Sequence, residues 1–489
     1  MGFQIDRSEF TNEERDRFKQ RLVEDLDTLR TCLDAGDFCS REESFGAEVE
    51  LVIIDEQGEP QLLGSTLRDE LADPQWALEI DRFNLEYNLS PVAARGAPFS
   101  TMNAELVQAL SSSERAAQRH ASSLCMIGIL PTLQPHHLTS AAMSDLPRYH
   151  AMAEAILERR RAGLAIDING ANPLHTIAEN VTWEGANTSF QLHMRVAADK
   201  FAGLYNALQL AIAPVLAVST NSPLFCGHDL WEETRIALFK QAVDARVAST
   251  NNLHMPPRVG FGTGWVQQGA LELFAQCVTL FPPLLPVLDS ERVADPKDRG
   301  PALTELRLHA GTVWTWNRPV YDPSHGGHLR IEARALPAGP TTLDMMANAA
   351  FLAGIGHALA RDITRMTEQM PFSFAEWNFY RAAQFGLDAQ LVWPGRYTMR
   401  KLSARQLARE LLPVADQGLA QLSVDAAERR TWLDIIAARL DAGITGARWQ
   451  RATLQTFEAS LSRDLALRAL TASYRELSRA GQPVHTWPL

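Results

Sequence analysis

Apolar residues recur at two periods along this chain, and the changes of period outline its architecture. Over 8–36, Phe18, Leu22, Leu26, Leu29 and Leu33 fall at helical spacing with charges between them, which predicts an amphipathic helix. From residue 44 the period shortens to two. Ser44-Phe-Gly-Ala-Glu48-Val-Glu50-Leu-Val-Ile-Ile-Asp55 is rich in β-formers and ends in a turn over 55–58, so it reads as a strand. Side chains alternate across a strand, so Glu48 and Glu50 share a face. A second strand-like stretch, 76–91, sets Asn84, Glu86 and Asn88 against Leu85, Tyr87 and Leu89, with Glu79 seven residues before Glu86. A third, 188–196, sets Gln191, His193 and Arg195 against Phe190, Leu192, Met194 and Val196. A fourth, 328–336, puts Arg330, Glu332 and Arg334 on one face, between Gly326-Gly327 and a Pro-Ala-Gly-Pro turn.

Helical spacing returns between these strands, at 101–124, 148–161, 201–217 and 342–361, and in a helix opening at Trp231. Residues 125–130 read as a short buried strand. The stretch 131–147 is a loop whose His136-His137 pair reads as surface histidines. Residues 249–269 are rich in Asn, Gly and Pro and read as a flexible lid; their Gly260-Phe-Gly262-Thr-Gly264 lacks the spacing and the βαβ frame of a dinucleotide fingerprint. Residues 282–303 read as a second irregular stretch. After about 366 only helical patterns follow, at 403–422, 424–442 and 447–480, with no strand signal. The expected organisation is an N-terminal helix (1–43), an α+β body (44–365) and a helical C-terminal region (366–489) packed on it.

Composition narrows the function classes. With 46% hydrophobic and 21% charged residues, the 489-residue chain is globular. A formal charge of -12 argues against nucleic acid or an anionic membrane as partner. No uninterrupted apolar run reads as long enough to span a bilayer, and the N-terminus lacks a signal-peptide core. Five scattered cysteines without a C-x-x-C pair fit free thiols in a reducing compartment, so the expected location is the cytoplasm. Cations are mostly Arg, whose fork suits carboxylates and phosphates.

The polar strand faces carry the chemistry. Two carboxylates about 5 Å apart at an effective dielectric near 20 repel by roughly 3 kcal/mol. A solvated strand face would tolerate this; a divalent cation with oxygen ligands would offset it. The recurrence of the design favours the cation. In one antiparallel sheet the four faces merge into a trough holding Glu48, Glu50, Glu79, Glu86 and Glu332 with Gln191, His193, Arg330 and Arg334. Five carboxylates and a histidine suit two or three Mg²⁺ or Mn²⁺ ions, and the arginines suit a polyphosphate or a substrate carboxylate. That is the equipment of phosphoryl transfer. No G-x-x-x-x-G-K-[ST] and no H-E-x-x-H occurs, which excludes a P-loop enzyme and argues against a zincin.

With these residues in order, the chain resembles the carboxylate–amine ligase and glutamate–cysteine ligase family, whose fold is that of glutamine synthetase. The pieces that carry the resemblance are Phe45-Gly-Ala-Glu48-Val-Glu50-Leu51, Glu79 with Asn84-Leu-Glu86-Tyr-Asn88, Gln191-Leu-His193, Asn221-Ser-Pro with Arg235, and Arg330-Ile-Glu332-Ala-Arg334. Asn378 to Asp388 and Thr445-Gly446-Ala-Arg448-Trp449-Gln-Arg451 complete the set, which spans residues 44 to 451. The resemblance implies a glutamine synthetase-like curved antiparallel sheet. It implies metal positions at Glu50, Glu79 and Glu86, and a second group at Glu48 and Glu332 with His193, bridging the phosphates of ATP. Where the family often has His-x-His, this chain has Gln191 and His193, so Gln191 takes the place of a metal-side histidine. Gln191, His193 and Arg330 would meet ATP; Arg330, Glu332 and Arg334 would act on the transferred phosphoryl group; Arg235 and Asn84 would meet the amino-acid substrate. The implied activity joins a carboxylate, glutamate's γ-carboxylate in the best-known members, to an amine such as cysteine, using ATP and Mg²⁺ or Mn²⁺. Small amino acids and amines are then the partners, and a homo-oligomer is compatible with all of this. A guanidino or amino-acid kinase on the same fold, or a silent binding member, are the competing readings.

Overall fold

Alternation of side chains makes strand 44–54 the spine of the molecule. The structure, a computed structural model, describes residues 5, 9–38, 42–247, 255–289 and 300–489. Along β1 (Ser44–Ile54) burial alternates strictly as far as Glu50, then becomes continuous. Five further strands complete the main path of the sheet: β2 (Trp76–Leu78), β3 (Asn84–Asn88), β4 (Phe190–Val196), β5 (Asn317–Asp322) and β6 (His328–Ala333). Their order is β5-β6-β4-β1-β3-β2 and every pairing is antiparallel. Val92–Ala93 and Ser123–Cys125 add short antiparallel pairings to the two ends of β1, giving an eight-stranded curled sheet of the glutamine synthetase type.

One face of this sheet is apolar and meets helices. Phe45 stacks on Phe99 of α2 (Pro98–Gln118), ring centroids 5.4 Å apart, and on its other side lies edge-on to His357 at the end of α4 (Thr342–Ala360). α3 (Phe201–Ser219), with the turn that precedes it, and α4 have the length and composition of a bilayer span, but both are largely buried inside the fold as core helices. α1 (Asn12–Ala35) starts with a capping box at Thr11 and lies against the short helices Ala270–Leu280 and Thr304–Ala310.

Several expected elements differ. The stretch 76–91 is two strands, because Asp81 to Asn84 form a turn, with the Asn84 amide donating to the Asp81 carbonyl (3.0 Å). The strand expected over 125–130 lies earlier, at Ser123–Cys125, and the helix after Trp231 starts at Arg235. The C-terminal region is not purely helical: Gln390–Pro394 and Met399–Ser403 pair as a hairpin. Residues 447–480 form two helices, α7 (Gly446–Glu458) and α8 (Arg463–Ala480), since Ser460 and Leu461 turn back onto Phe457. Another hairpin, Leu164–Ile168 with Leu174–Ala178, went unread. Of the expected lid, 249–254 lies outside the described residues. The remainder is tied to α3: Gln209 donates to the Phe261 carbonyl (2.5 Å), and Asn206 exchanges two hydrogen bonds with Val266 (2.8 and 2.9 Å). Of the irregular stretch 282–303, residues 290–299 also lie outside the described residues.

Candidate active site

Register brings the polar positions of separate strands together on the face opposite the core. Glu50 stands directly opposite Glu86 on β3, and Glu48 lies between Asn88 and Gln191. His193 on β4 stands opposite Gly46 on one side and Glu332 on the other; Arg318 on β5 is opposite Glu332.

The first cluster is Glu48, His193 and Glu332, whose ligand atoms all lie within 4.8 Å of one another. His193 Nε2 is 3.1 Å from Glu48 and 3.8 Å from Glu332, yet neither ring nitrogen makes a well-directed hydrogen bond, which leaves both available to a ligand. Burial pushes the Glu48 carboxyl up, but the His193 imidazole close beside it outweighs this and holds Glu48 at about 2. Glu332 has no exposed surface. It accepts from Arg318 through Nε and Nη2, the latter at 3.1 Å, and from Arg334 Nη1 at 2.8 Å. Burial acts to raise it; the two guanidinium groups win and keep it well below the usual carboxylate range.

The second cluster lies across β1 and β3. Glu50 accepts from Ser189 N–H (2.7 Å), Ser189 Oγ (2.8 Å) and Gln191 Nε2 (2.9 Å). Gln191 Oε1 in turn accepts from Arg334 Nη1 at 2.5 Å. Gln191 therefore links Glu50 to Arg334, a task a neutral amide can do because it both donates and accepts. Glu86 accepts from Asn88 (2.8 Å); burial, then the charges of Glu48 and Glu50, raise it to about 8. Glu79 stands just beyond β2, and burial, then Glu86, Glu50 and Glu184, push it well up. Like charges directly opposite one another in a sheet are destabilising. These carboxylates form an over-charged oxygen-rich set, and oxygen donors with one imidazole fit Mg²⁺ or Mn²⁺.

The other expected residues are placed as follows. Arg330 lies 3.6 Å from Asp322 and pairs across the sheet with Arg195, so two guanidinium groups neighbour each other at one end of the trough. Asn84 is buried, and among the described residues its Oδ1 has no hydrogen-bond partner. Arg235 is also buried, and it donates to the Ala335 carbonyl (3.1 Å) and to Glu233 (3.2 Å). Its charge still opposes the rise of Glu50 and Glu184.

Two residues went unread. Arg318 was hidden by Pro319, which disguises β5 as loop; proline is tolerated because β5 is an edge strand. Glu184 lies in a turn without periodicity; burial, then Glu50, raises it to about 8. Beside Arg318 opens a cavity of about 760 Å³, its solvent mouth included, whose lining includes Phe261, Phe274, Tyr380, Lys240 and Thr315.

Residues 44–468 match the model of glutamate–cysteine ligase family 2. No curated protein matches the sequence significantly. Among solved structures, the chain is similar to a glutamate–cysteine ligase from Francisella tularensis in complex with AMP, with a TM-score of 0.54 at 11% identity over 93% of this chain and 96% of that one. A bifunctional glutathione synthetase from Pasteurella multocida gives a TM-score of 0.50 at 11% identity over 93% of this chain. This chain spans only 55% of that protein. At such identities the likeness is one of fold.

Proposed function

The chain belongs to glutamate–cysteine ligase family 2, and from that premise we propose that it is an ATP-dependent carboxylate–amine ligase with its chemistry in the sheet trough. The observation that carries the reading is the convergence of Glu48, His193 and Glu332 with Arg318 and Arg334 on one face of one sheet. The preferred substrates are glutamate, through its γ-carboxylate, and an amine such as cysteine. The cavity beside Arg318 offers apolar and aromatic walls for the base of a nucleotide whose phosphates point to Glu332. Buried free thiols (Cys125, Cys226 and Cys277) fit a reducing compartment such as the cytoplasm.

In this reading a substrate carboxylate oxygen attacks the γ-phosphorus of ATP. The bond to the bridging oxygen breaks, and ADP leaves an acyl phosphate. The amine nitrogen then attacks the acyl carbon, phosphate departs, and the nitrogen gives up a proton. Glu48, His193 and Glu332, and Glu50, Glu79 and Glu86, would hold divalent cations, which would supply charge neutralisation at the phosphates. Arg334 sits between Glu332 and Gln191, where its remaining N–H groups can meet a phosphoryl oxygen, and Arg330 provides a second fork at the trough end. Glu332 stays ionised at neutral pH because two guanidinium groups hold it so. Arg235 acts through its field and its grip on the Ala335 carbonyl, as a positioning residue.

The test is phosphate release from Mg-ATP with L-glutamate and a panel of amines, cysteine first, with Glu332→Gln as control. We expect release that needs both carboxylate and amine, reduced at least ~10²-fold in the variant. Release needing only the carboxylate would mean phosphotransfer without ligation. No release with any pair, and no Mg-ATP binding by calorimetry, would sink the enzyme reading.

A further inference from the structure

One end of the trough is a row of four cross-strand neighbours, Ser44, Arg195, Arg330 and Val320, on β1, β4, β6 and β5. The adjoining row is Gly46, His193, Glu332 and Arg318, which holds most of the first cluster. Arg195 and Arg330 thus stand directly opposite each other, and each is the one half-buried residue of an otherwise buried strand. Directly opposed residues on one sheet face bring their Cβ atoms to about 5 Å, where like charges repel. Asp322 lies 3.6 Å from Arg330, beyond hydrogen-bond reach, while its other carboxylate oxygen accepts from the Ser324 N–H (2.9 Å) and Oγ (2.6 Å). Arg330 Nε is buried and among the described residues has no hydrogen-bond partner. Arg195 makes other contacts in the fold as well. Both guanidinium groups bear on His328, the next residue of β6 on that face. Burial, against the charge of Asp322 and with those of Arg330 and Arg195, lowers it to about 4, so it adds no positive charge at neutral pH.

Two guanidinium groups side by side carry a charge that one weakly placed carboxylate does not balance. An anion between them would. A single carboxylate fits one fork; a diphosphate brings two charged groups, each with oxygens for a planar fork. Position points the same way. Same-face residues two apart on a strand are about 7 Å apart, so the pair lies one step from Glu332, on the side away from Arg334. With the transferred phosphoryl group at Glu332 and Arg334, the phosphates behind it fall at this step. The cavity read as the base pocket opens beside Arg318, on the strand next to Arg330 and one step along from it. We propose that Arg195 and Arg330 clamp the two phosphates that stay on the nucleotide after transfer, and that Arg195 is a residue by which the trough tells a nucleoside diphosphate from a monophosphate. The clamp rests on the nucleotide reading of the trough and not on the identity of the amine or the acyl donor.

The experiment is calorimetric titration of the full chain with ADP, AMP and L-glutamate in turn, in Mg²⁺ buffer and without turnover. Wild type is compared with Arg195→Leu and Arg330→Leu. We expect each variant to bind ADP roughly 10- to 100-fold more weakly, the worth of charge-assisted hydrogen bonds, and to lose at least tenfold of the wild-type preference for ADP over AMP. Far-ultraviolet circular dichroism checks that each is folded; if Arg195→Leu fails to fold, Arg330→Leu decides. Wild-type ADP affinity in both variants, or equal losses for ADP and AMP, would overturn the clamp. So would a loss confined to L-glutamate, which would make the pair a carboxylate site, and so would a wild-type chain that binds no ADP. The ligase reading fails by a separate result, the absence of amine-dependent phosphate release, which leaves the ADP-to-AMP comparison untouched.

Discussion

Arg318 shows how much one guanidinium group carries in this trough. It faces a carboxylate with no exposed surface and binds it through two nitrogens, while Arg334 takes a third position on the same carboxylate. Lysine would keep the charge and lose the fork. We expect Arg318→Lys to lower kcat/KM by roughly 10²-fold while costing only about 1–2 kcal/mol of stability. Arg318→Met should cost more, about 3–5 kcal/mol, because it strips a buried ion of a partner. Steady-state kinetics beside urea unfolding would separate the two effects. Full activity in the lysine variant would mean that charge alone suffices. Gln191 makes the complementary point: at a position where a histidine was expected, it bridges Glu50 and Arg334, and its double role as donor and acceptor is what the position uses.

Among the elements, the polar strands were legible because period-two alternation is a strong signal in a sheet with one buried face. Register then did what the sequence could not show, setting Glu50 against Glu86 and His193 against Glu332 from segments far apart in the chain. What stayed hidden had no periodicity to show: the edge strand with Pro319, the Glu184 turn and the two isolated hairpins. Pairings between short helices were equally illegible. One of these, between Thr304–Ala310 and Ala270–Leu280, gives a pH prediction. His309 is buried and Nε2–H donates to the Cys277 carbonyl (3.1 Å). Burial, with Arg258 adding to it, lowers its pKa from 6.5 to about 4. The folded state therefore binds fewer protons than the unfolded state between those values. His309 contributes stability that is fully present above about pH 6.5 and is lost as pH falls towards 4, up to about 3 kcal/mol. Urea midpoints from pH 7 to 4.5 should fall less steeply in His309→Gln than in wild type. Parallel slopes would mean that His309 is not the group responsible.

At the scale of the whole molecule, the question is whether the helical region after residue 366 is a separate folding unit. Packing argues that it is not. α5 (Ala404–Gln421) crosses α4 so closely that a Cβ at Gly418 would overlap the Gly354 carbonyl, backbone against backbone. α6 (Ala426–Ala442) sends Arg439 into the interior, where it donates to Asp344 (2.7 Å), Asn348 (2.6 Å) and the Val218 carbonyl (3.0 Å). Asp344 also receives the Val484 amide at 3.1 Å, so one buried ion pair joins α3, α4, α6 and the chain's last turn. Asn221, after α3, is held by Tyr474 of α8 (2.7 Å) and by Gln450 of α7 (2.9 Å). Removing the C-terminal helices would uncover the apolar surface of α4 and leave Asp344 buried without its cation. We therefore expect one calorimetric transition for the intact chain, with calorimetric and van't Hoff enthalpies equal. Arg439→Met should shift that whole transition downward, by about 3–5 kcal/mol, because it leaves the Asp344 charge unpaired. Two resolved transitions, or an Arg439→Met variant in which only a minor early transition moves, would mean that the helical region folds on its own. The trough would then owe its rigidity to the sheet alone.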